Sequence, residues 1–359
     1  MCCKLRPVCV FGIVSSFLLL IYVKLDLQLI FVETSHEQPS SYPATARHQK
    51  SLVPFSPERC VAGFVSSMEI CRPCPRGQFS LPGWISCAPL LTCNDINYGV
   101  RIEGHFISGG VKHVYYADWN GIQVVYNIGY LKDDFEHGVT MLKALSPHPR
   151  IIHPIGKCRN VLLTLRYNLG SAEWVNDVLA RKEYVKFDNC VTRFRMALDY
   201  VTIIAYLHDS PIGVRVMCDS ADLEKTLSQY LITDDLRLVL NDVDALPEVN
   251  HTEKKLIKCG HRELYGDFVA PEQKWPFADS PFNDDRMPPY DEKVDIWRVP
   301  AVVEFLLGNT VNSCSALTRL ETIHTKCRNI DSKLRPSAKE VLSLYQTTWD
   351  ILASDFQYE

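Results

Sequence analysis

The sequence predicts an α+β protein in which a small, β-rich lobe precedes a larger, helical lobe. Two observations predict this order. From about residue 98 the first regular segments are runs of β-branched and aromatic residues separated by polar turns, which is typical of strands. The later segments are longer and carry apolar residues at helical spacing. The chain has 359 residues, of which 47% are hydrophobic, and is long enough to bury a sizeable core.

The β-rich lobe is predicted from four segments. HVYYADW and IQVVYNIGY flank a polar turn and predict a β-hairpin, and RNVLLTLRY predicts another strand. Between them, DDFEHGVTMLKAL has four apolar residues at helical spacing and predicts a helix. These residues are Phe135, Val139, Leu142 and Leu145.

The helical lobe is predicted from three long amphipathic segments, TRFRMALDYVTIIAYLHDS, KVDIWRVPAVVEFLLG and SAKEVLSLYQTTWDILASD. Between the first two, the residues that lead to NDVDALP predict a pair of strands. The whole regular region, 98–352, is predicted to form one domain.

The charge balance excludes one class of partner. The net charge is −4 and the pI is near 6.3, whereas nucleic-acid-binding domains are normally basic. We therefore expect no nucleic-acid partner.

The N-terminus predicts a membrane anchor. Residues 7–23 form a run of seventeen without a formal charge, and apolar residues continue beyond it, which suits a spanning helix. Lys4 and Arg6 precede the run, so 1–6 should stay cytoplasmic and the rest should be lumenal. A cleaved signal peptide is the alternative, but bulky residues stand where a small-residue cleavage site would follow. The sequence favours a signal anchor at 7–32 and a single-pass type II membrane protein.

The cysteines and one sequon also indicate a lumenal protein. After a Pro- and Ser-rich stem at 33–59, a Cys-rich segment spans 60–97 and contains the C-x-x-C of Cys71 and Cys74. Zinc binding is one interpretation of this pair, but disulfides are favoured in an oxidising compartment. Eleven of the cysteines follow the stem, an odd number, so at least one is expected to be unpaired. Asn250 begins an Asn-His-Thr triplet, an acceptor for N-glycosylation.

Six short segments occur in a fixed order along the predicted domain. The first, SGGVKHV, is a glycine turn followed by a strand. VMCDS, with Asp219, follows the first long helix, and NDVDALP, with Asp242, follows the next strands. The other three are VAPEQ with Glu272, VDIW with Asp295 and LRPSAKEVL with Arg335.

In order and spacing these segments resemble the motifs of the protein-kinase superfamily over roughly 98–350. With the predicted anchor and the Cys-rich segment, VMCDS, KTLSQYL, NDVDALP, KCGHREL and GDFVAPEQ further resemble the protein O-mannose kinase family. The resemblance implies a bilobal, kinase-like fold and ATP-dependent phosphorylation of the 6-hydroxyl of an O-linked mannose, with Mg²⁺ or Mn²⁺. It also implies that this mannose belongs to a GalNAc–GlcNAc–mannose trisaccharide on α-dystroglycan, in the endoplasmic reticulum.

The resemblance assigns roles to the motif residues. Asp219 stands where a kinase has its catalytic base, and Asp242 where it has the metal-binding aspartate. Gln229 falls at the second metal-binding position, an Asn in kinases, although the loop after Asp219 is about five residues longer than usual. Arg335 is expected to pair with Glu272 and, with Asp295, to hold the fold rather than the substrate.

One kinase residue is missing, because the second strand of the hairpin ends in Asn127 where kinases carry a phosphate-binding lysine. Aligning Val114 with the last residue of the glycine-rich motif places Gly109 at its second glycine and Lys112 at its third. A lysine there resembles the with-no-lysine kinases, in which the neighbouring strand supplies the ammonium group. We therefore predict that Gly109, Gly110 and Lys112 hold the phosphates. An ordinary solvated lysine is the alternative.

The carboxylate that kinases pair with this lysine is expected on the helix after the hairpin. Its position falls near Gly138, which has no side chain. Asp133, Asp134 and Glu136 are nearby, and Glu136 is the predicted partner of Lys112.

Two functions are consistent with these departures from kinase motifs. An active lumenal glycan kinase is favoured because Asp219, Asp242 and a compensating lysine are present. A catalytically inactive pseudokinase that binds a glycan or a protein is the alternative, because two kinase triplets are altered. A soluble cytosolic signalling kinase is disfavoured by the anchor and the cysteines.

Overall fold

The computed structural model describes residues 60–67, 70–310 and 315–355. The Cys-rich segment forms two short hairpins and a helix, which we call the cap (60–99). Its elements are β1 (Phe64–Ser67), β2 (Ile70–Pro73), β3 (Gln78–Phe79), β4 (Ala88–Pro89) and α1 (Cys93–Gly99). Strand β1 pairs with β2, and β3 pairs with β4. The strands and the helix of the cap are short, and segments of this kind commonly rely on disulfide bonds for stability.

Disulfide bonds supply these links, as the sequence predicts. The bonds between described residues include Cys60–Cys71, Cys74–Cys87, Cys93–Cys158 and Cys218–Cys259. Cys71 and Cys74 each bond to a different cysteine, so the zinc interpretation of their C-x-x-C is wrong. Cys327 is buried and free, in agreement with the expectation of an unpaired cysteine.

A five-stranded antiparallel sheet follows the cap. Its strands are β5 (Val100–Ser108), β6 (Lys112–Trp119), β7 (Ile122–Gly129), β8 (Pro154–Cys158) and β9 (Val161–Leu165). Their spatial order is β5-β6-β7-β9-β8. A sheet-rich region therefore precedes a helical one, which confirms the predicted α+β order.

The turn between β6 and β7 fixes the register of the two strands. It contains Asn120 and Gly121, both with positive φ (52° and 83°), the geometry that Asn-Gly turns favour in hairpins. Lys112 then pairs with Gly129, two residues from Asn127 along β7. Paired side chains, and those two residues apart, lie on the same face of a sheet. Lys112 and Asn127 therefore share one face.

The helix predicted after the hairpin is α2 (Lys132–Leu145). Its four predicted apolar residues, Phe135, Val139, Leu142 and Leu145, are all buried. The helix approaches the sheet closely at Gly129, where an added Cβ would lie 2.2 Å from the Phe135 ring. This contact explains why a glycine ends β7.

The second lobe is helical. Its helices are α3 (Val175–Ala180), α4 (Cys190–His208), α5 (Leu223–Leu227), α6 (Lys293–Leu307), α7 (Ala316–Cys327) and α8 (Ala338–Asp355). The three long predicted helices are α4, α6 and α8, and α4 packs against the other two. Their apolar faces form one continuous core.

Short elements between α4 and α6 carry the motif residues. They are β10 (Val214–Arg215), β11 (Tyr230–Ile232), β12 (Leu238–Leu240) and β13 (Glu248–Val249), with α5 between β10 and β11. Strands β11 and β12 form the hairpin predicted before NDVDALP. Helix α5 accounts for the extra length of the loop after Asp219, because it lies between that residue and Gln229.

The predicted anchor at 7–32 lies outside the described residues. Within the described part of the chain, none of the helices has both the length and the apolar character needed to cross a bilayer.

Candidate active site

A cleft with an empty volume of about 430 Å³ is lined by β6, β7, β9, α2 and the N-D-V-D turn at 241–244. Lys112 and Asp242 both line it. The fold thus brings together two predicted site residues that are 130 positions apart in sequence.

Lys112 points into this cleft and pairs with the N-D-V-D turn. Its Nζ donates to Asp242 Oδ1 at 3.0 Å and lies 4.0 Å from Asp244 Oδ2. Burial disfavours the ammonium group, but the charge of Asp242, followed by that of Asp244, outweighs it and raises the pKa of Lys112. The lysine is therefore a paired, charged group in the cleft and not the solvated strand lysine of the alternative interpretation.

Asn127, at the usual position of the kinase lysine, has a structural contact instead. Its side chain is buried and its amide nitrogen donates to the carbonyl of Leu162 on β9, at 3.3 Å. A buried polar group needs such a partner. The neighbouring strand, and not this residue, supplies the positive charge of the cleft.

The two predicted phosphate-binding glycines form the turn between β5 and β6. The Gly109 nitrogen donates to the Lys112 carbonyl at 3.0 Å, and Tyr130 Oη donates to the Gly109 carbonyl at 2.7 Å. A Cβ added to Gly110 would meet open space, whereas one added to Gly109 would lie 3.3 Å from the Lys112 carbonyl. The turn closes directly onto the lysine, and the phosphate-binding role of the two glycines stays a prediction.

Asp219 lies on the loop after β10, and its carboxylate contacts a residue that the sequence analysis missed. Lys225, in the first turn of α5, places its Nζ 2.7 Å from Asp219 Oδ2. Asp222 caps α5 by accepting from the Lys225 backbone nitrogen at 2.7 Å, which orients the start of the helix. The extra length of the loop and Asp222, a good helix-capping residue, are sequence signals for a short helix here, but they do not identify Asp219 as the neighbour of Lys225.

Backbone contacts hold the Asp219 loop against the N-D-V-D turn. The Cys218 nitrogen donates to the Ala245 carbonyl at 3.2 Å, and Cys218 is also disulfide-bonded to Cys259. Asp219 is close enough to Asp244 to contribute to that residue's raised pKa. The predicted base is therefore next to the cleft residues, although it is not one of the described residues that line the cleft.

Asp295 is hydrogen-bonded to the same loop. Its Oδ2 accepts from the Met217 backbone nitrogen and from His208 Nε2, both at 3.1 Å. Arg298 donates from Nη1 to Asp295 Oδ1 and to the Met217 carbonyl, both at 2.9 Å. Asp295 is buried, so these bonds fix the loop that carries Asp219.

Gln229 is buried and joins the loop to the N-D-V-D turn through its backbone. Its carbonyl accepts from the nitrogens of Asn241 and Asp242, at 2.9 and 3.3 Å. Its side-chain nitrogen donates to the Lys225 carbonyl at 2.9 Å and to Ser228 Oγ at 3.1 Å. The amide oxygen is the atom suited to a metal ion, so the predicted metal role of Gln229 stays a prediction.

Asp242 and Asp244 provide two carboxylates on one turn. Burial and the neighbouring charge of Asp242 raise the pKa of Asp244 to about 6, against the lowering influence of Lys112. Among the described residues, no three His, Cys, Asp or Glu side chains are grouped as a metal site. Mg²⁺ commonly takes one or two carboxylates together with phosphate oxygens, so the carboxylate of Asp242, the predicted metal ligand, suits such an ion.

The predicted pairing of Glu136 with Lys112 is wrong. The carboxylate of Glu136 accepts from Lys157 of β8 at 2.9 Å. Residues of an α-helix are about 100° apart around its axis, so Glu136 and Gly138 are about 200° apart. They therefore point to opposite sides of the helix and cannot face the same strand. Gly138 itself lines the cleft and lies against Asp244.

The predicted fork between Arg335 and Glu272 is present. Arg335 donates from Nη1 and Nη2 to the two carboxylate oxygens of Glu272, at 2.6 and 2.8 Å. The guanidinium is buried, and its Nη1 also donates to the carbonyl of Lys293 at 3.0 Å. This pair ties the segment after the cleft to helix α6.

No family model matches the chain. The chain is, however, similar to proteins named protein O-mannose kinase. The protein from Gallus gallus is 46% identical over 286 residues, which are 78% of this chain and 80% of that protein. Those from Homo sapiens and Xenopus laevis are 44% and 40% identical over 285 and 288 residues, with 81% and 82% of their lengths covered. With such identity over most of both chains, and with Lys112 and Asp242 paired in one cleft, this chain belongs to the protein O-mannose kinase family.

Proposed function

We propose that this protein transfers a phosphoryl group from ATP to the 6-hydroxyl of an O-linked mannose, with Mg²⁺ or Mn²⁺. The acceptor is the mannose of a GalNAc–GlcNAc–mannose trisaccharide on α-dystroglycan. Family membership makes the protein a phosphotransferase that acts on an alcohol group. The observation that carries the proposal is the ion pair of Lys112 with Asp242 in a cleft next to Asp219.

Each residue of this site has a separate role in phosphoryl transfer. Asp219 accepts the proton of the attacking hydroxyl, and its loop is held in place by Asp295. Lys112 places a positive charge at the phosphates, where low solvent access strengthens it. Asp242, with Gln229, supplies oxygen ligands for the metal ion, which when bound neutralises phosphate charge.

The test is phosphate transfer by the full chain. The protein is incubated with ATP, Mg²⁺ or Mn²⁺ and the trisaccharide, and the product is detected by mass spectrometry. Asp219→Asn should lose transfer and still bind nucleotide, whereas Asp242→Ala should lose metal-dependent nucleotide binding as well. Nucleotide binding by the unaltered protein without any transfer would instead indicate the pseudokinase.

We also propose that the protein is a type II membrane protein of the endoplasmic reticulum with its catalytic domain in the lumen. Support comes from the disulfides and from Asn250, whose amide oxygen, not its glycan-carrying nitrogen, accepts from Glu253 N at 3.1 Å. Glycosidase should lower the apparent mass of the expressed protein, and Asn250→Gln should abolish that shift. Degradation of the catalytic domain by protease added to sealed microsomes would establish the opposite topology.

A further inference from the structure

Helix α2 has a glycine at its centre. A glycine destabilises a helix most in the interior, and a side chain at this position would face the cleft. Gly138 lies in the middle of α2 and lines the cleft. A glycine inside a helix costs about 1 kcal/mol relative to alanine. A Cβ added at this position would lie 3.2 Å from the Cβ of Asp244 and 3.6 Å from its Cα. The absence of a side chain therefore lets Asp244 approach the helix backbone.

Asp244 brings a carboxylate to the place that the helix leaves without one. Its Oδ2 lies 4.0 Å from Lys112 Nζ, and its side chain is only 18% exposed. The carboxylate of Glu136, on the same helix, is already engaged by Lys157. Gly138 and Asp244 are thus complementary. The helix has no side chain at the position where the turn places the Asp244 carboxylate.

We propose that Asp244 is the positioning residue for Lys112, in place of a carboxylate from helix α2, and that Gly138 is small in order to admit it. The proposal rests on the phosphate-binding role of Lys112 proposed above. A second carboxylate is needed because Asp242, the nearer partner, is also the expected metal ligand. A lysine that depended on Asp242 alone would compete with the metal ion for it, whereas Asp244 remains available to orient the ammonium group.

Pairing Lys112 with the N-D-V-D turn also determines which movements can break its ion pair. In kinases whose lysine pairs with a helix carboxylate, moving the helix breaks the pair. Here both partners of Lys112 come from one turn, which is bonded through its backbone to the Asp219 loop. A shift of α2 cannot withdraw the carboxylate, so the ion pair is a fixed part of the site.

The first test is a double-mutant cycle on turnover. Asp244→Gly should lower kcat by about 10²-fold, the size of effect expected from a misplaced catalytic group, with a smaller change in the KM for ATP. If Asp244 acts through Lys112, the same change should have little further effect in a Lys112→Met background. Equal losses in both backgrounds would overturn the proposal.

The second test moves the carboxylate back to the helix. Gly138→Glu should impair the unaltered protein, because the new side chain meets Asp244, and should restore part of the kcat lost in Asp244→Gly. His137→Glu is the matched control, since it adds the same charge at an exposed neighbouring position of α2 and should not rescue. Rescue by both variants, or by neither, would contradict the assigned pairing.

A third readout does not depend on activity. In the protein without nucleotide, the shifts in melting temperature caused by Lys112→Met and Asp244→Asn should be non-additive, because the two groups interact. Additive shifts would overturn the pairing. Since this cycle uses no substrate, it tests the pair even if the trisaccharide were not the acceptor.

Discussion

The ammonium group of Lys225 lies 2.7 Å from the carboxylate of Asp219, and both side chains are partly exposed. Helix α5 makes this contact possible. It folds the extra residues between Asp219 and Gln229 into a short turn that directs a lysine back toward the start of the loop. A cation is thereby placed beside the predicted base.

We predict that Lys225→Met lowers kcat by about 10- to 100-fold, because a fixed positive charge beside the reacting groups is lost. Lys225→Arg should retain much of the activity, since it keeps the charge. Steady-state kinetics with saturating ATP measure the effect, and Lys254→Met, at an exposed turn, is the control. Undiminished kcat in Lys225→Met would show that this lysine has no part in the reaction.

Lys112 and Asn127 give a paired comparison on neighbouring strands. Lys112→Met should lose about 10²–10³-fold in phosphotransfer, because the phosphates lose their electrostatic partner. Asn127→Ala should have a mild effect on turnover and should lower stability by about 1 kcal/mol through the lost hydrogen bond to Leu162. Turnover and thermal melting of both variants check this. Full activity of Lys112→Met would mean that another group holds the phosphates.

The Cys218–Cys259 bond is attached directly to the residue before Asp219. We predict that Cys218→Ser combined with Cys259→Ser reduces kcat, because the Asp219 loop loses a covalent constraint, and that it lowers the free energy of unfolding by about 2–4 kcal/mol. The matched control is Cys74→Ser with Cys87→Ser, which removes a bond inside the cap. If both pairs lower kcat equally, the effect is general loss of stability and not loop positioning.

Acid should destabilise the protein through two half-buried histidines, His148 and His153. Burial, with the nearby charge of Arg150 for His148, lowers the pKa of His148 and of His153 to about 4, whereas the unfolded chain titrates near 6.5. Between these values the unfolded chain binds protons that the folded protein does not. The free energy of unfolding should therefore fall as the pH drops from 7 to 5.5, by about 1 kcal/mol per histidine.

Urea denaturation at several pH values measures this dependence. His148→Gln with His153→Gln should flatten it over that range, even if the double variant is less stable at pH 7. An unchanged slope in the double variant would show that other groups are responsible.

Much of the fold could be predicted because its signals are local. The spacing of Phe135, Val139, Leu142 and Leu145 predicts α2 from neighbouring residues alone, and all four are buried. Helices α4, α6 and α8 and the β11–β12 hairpin follow from similar patterns. The placement of Lys112 in the cleft could also be predicted, because strand pairing and the two-residue periodicity determine which face it occupies.

The contacts that could not be predicted depend on the distance between elements. Nearness in sequence to Gly138 points to Glu136, but the strand that faces Glu136 depends on how α2 lies on the sheet, and its neighbour is Lys157. The contact between Lys225 and Asp219 depends on the path of an inserted loop. The disulfide partners likewise require the fold, since composition gives only their number.

The bond between Cys93 and Cys158 closes a loop of 65 residues. That loop contains the glycine turn, Lys112 and all of helix α2. Closing it therefore restricts the conformations that these cleft-lining elements can adopt in the unfolded chain. In the chain-entropy treatment a closure of this length contributes about 4 kcal/mol. The bond can form only after residue 158 has been synthesised and exposed to an oxidant. Chains made in a reducing cytosol would lack this closure, and a correct sequence alone would not yield the mature enzyme.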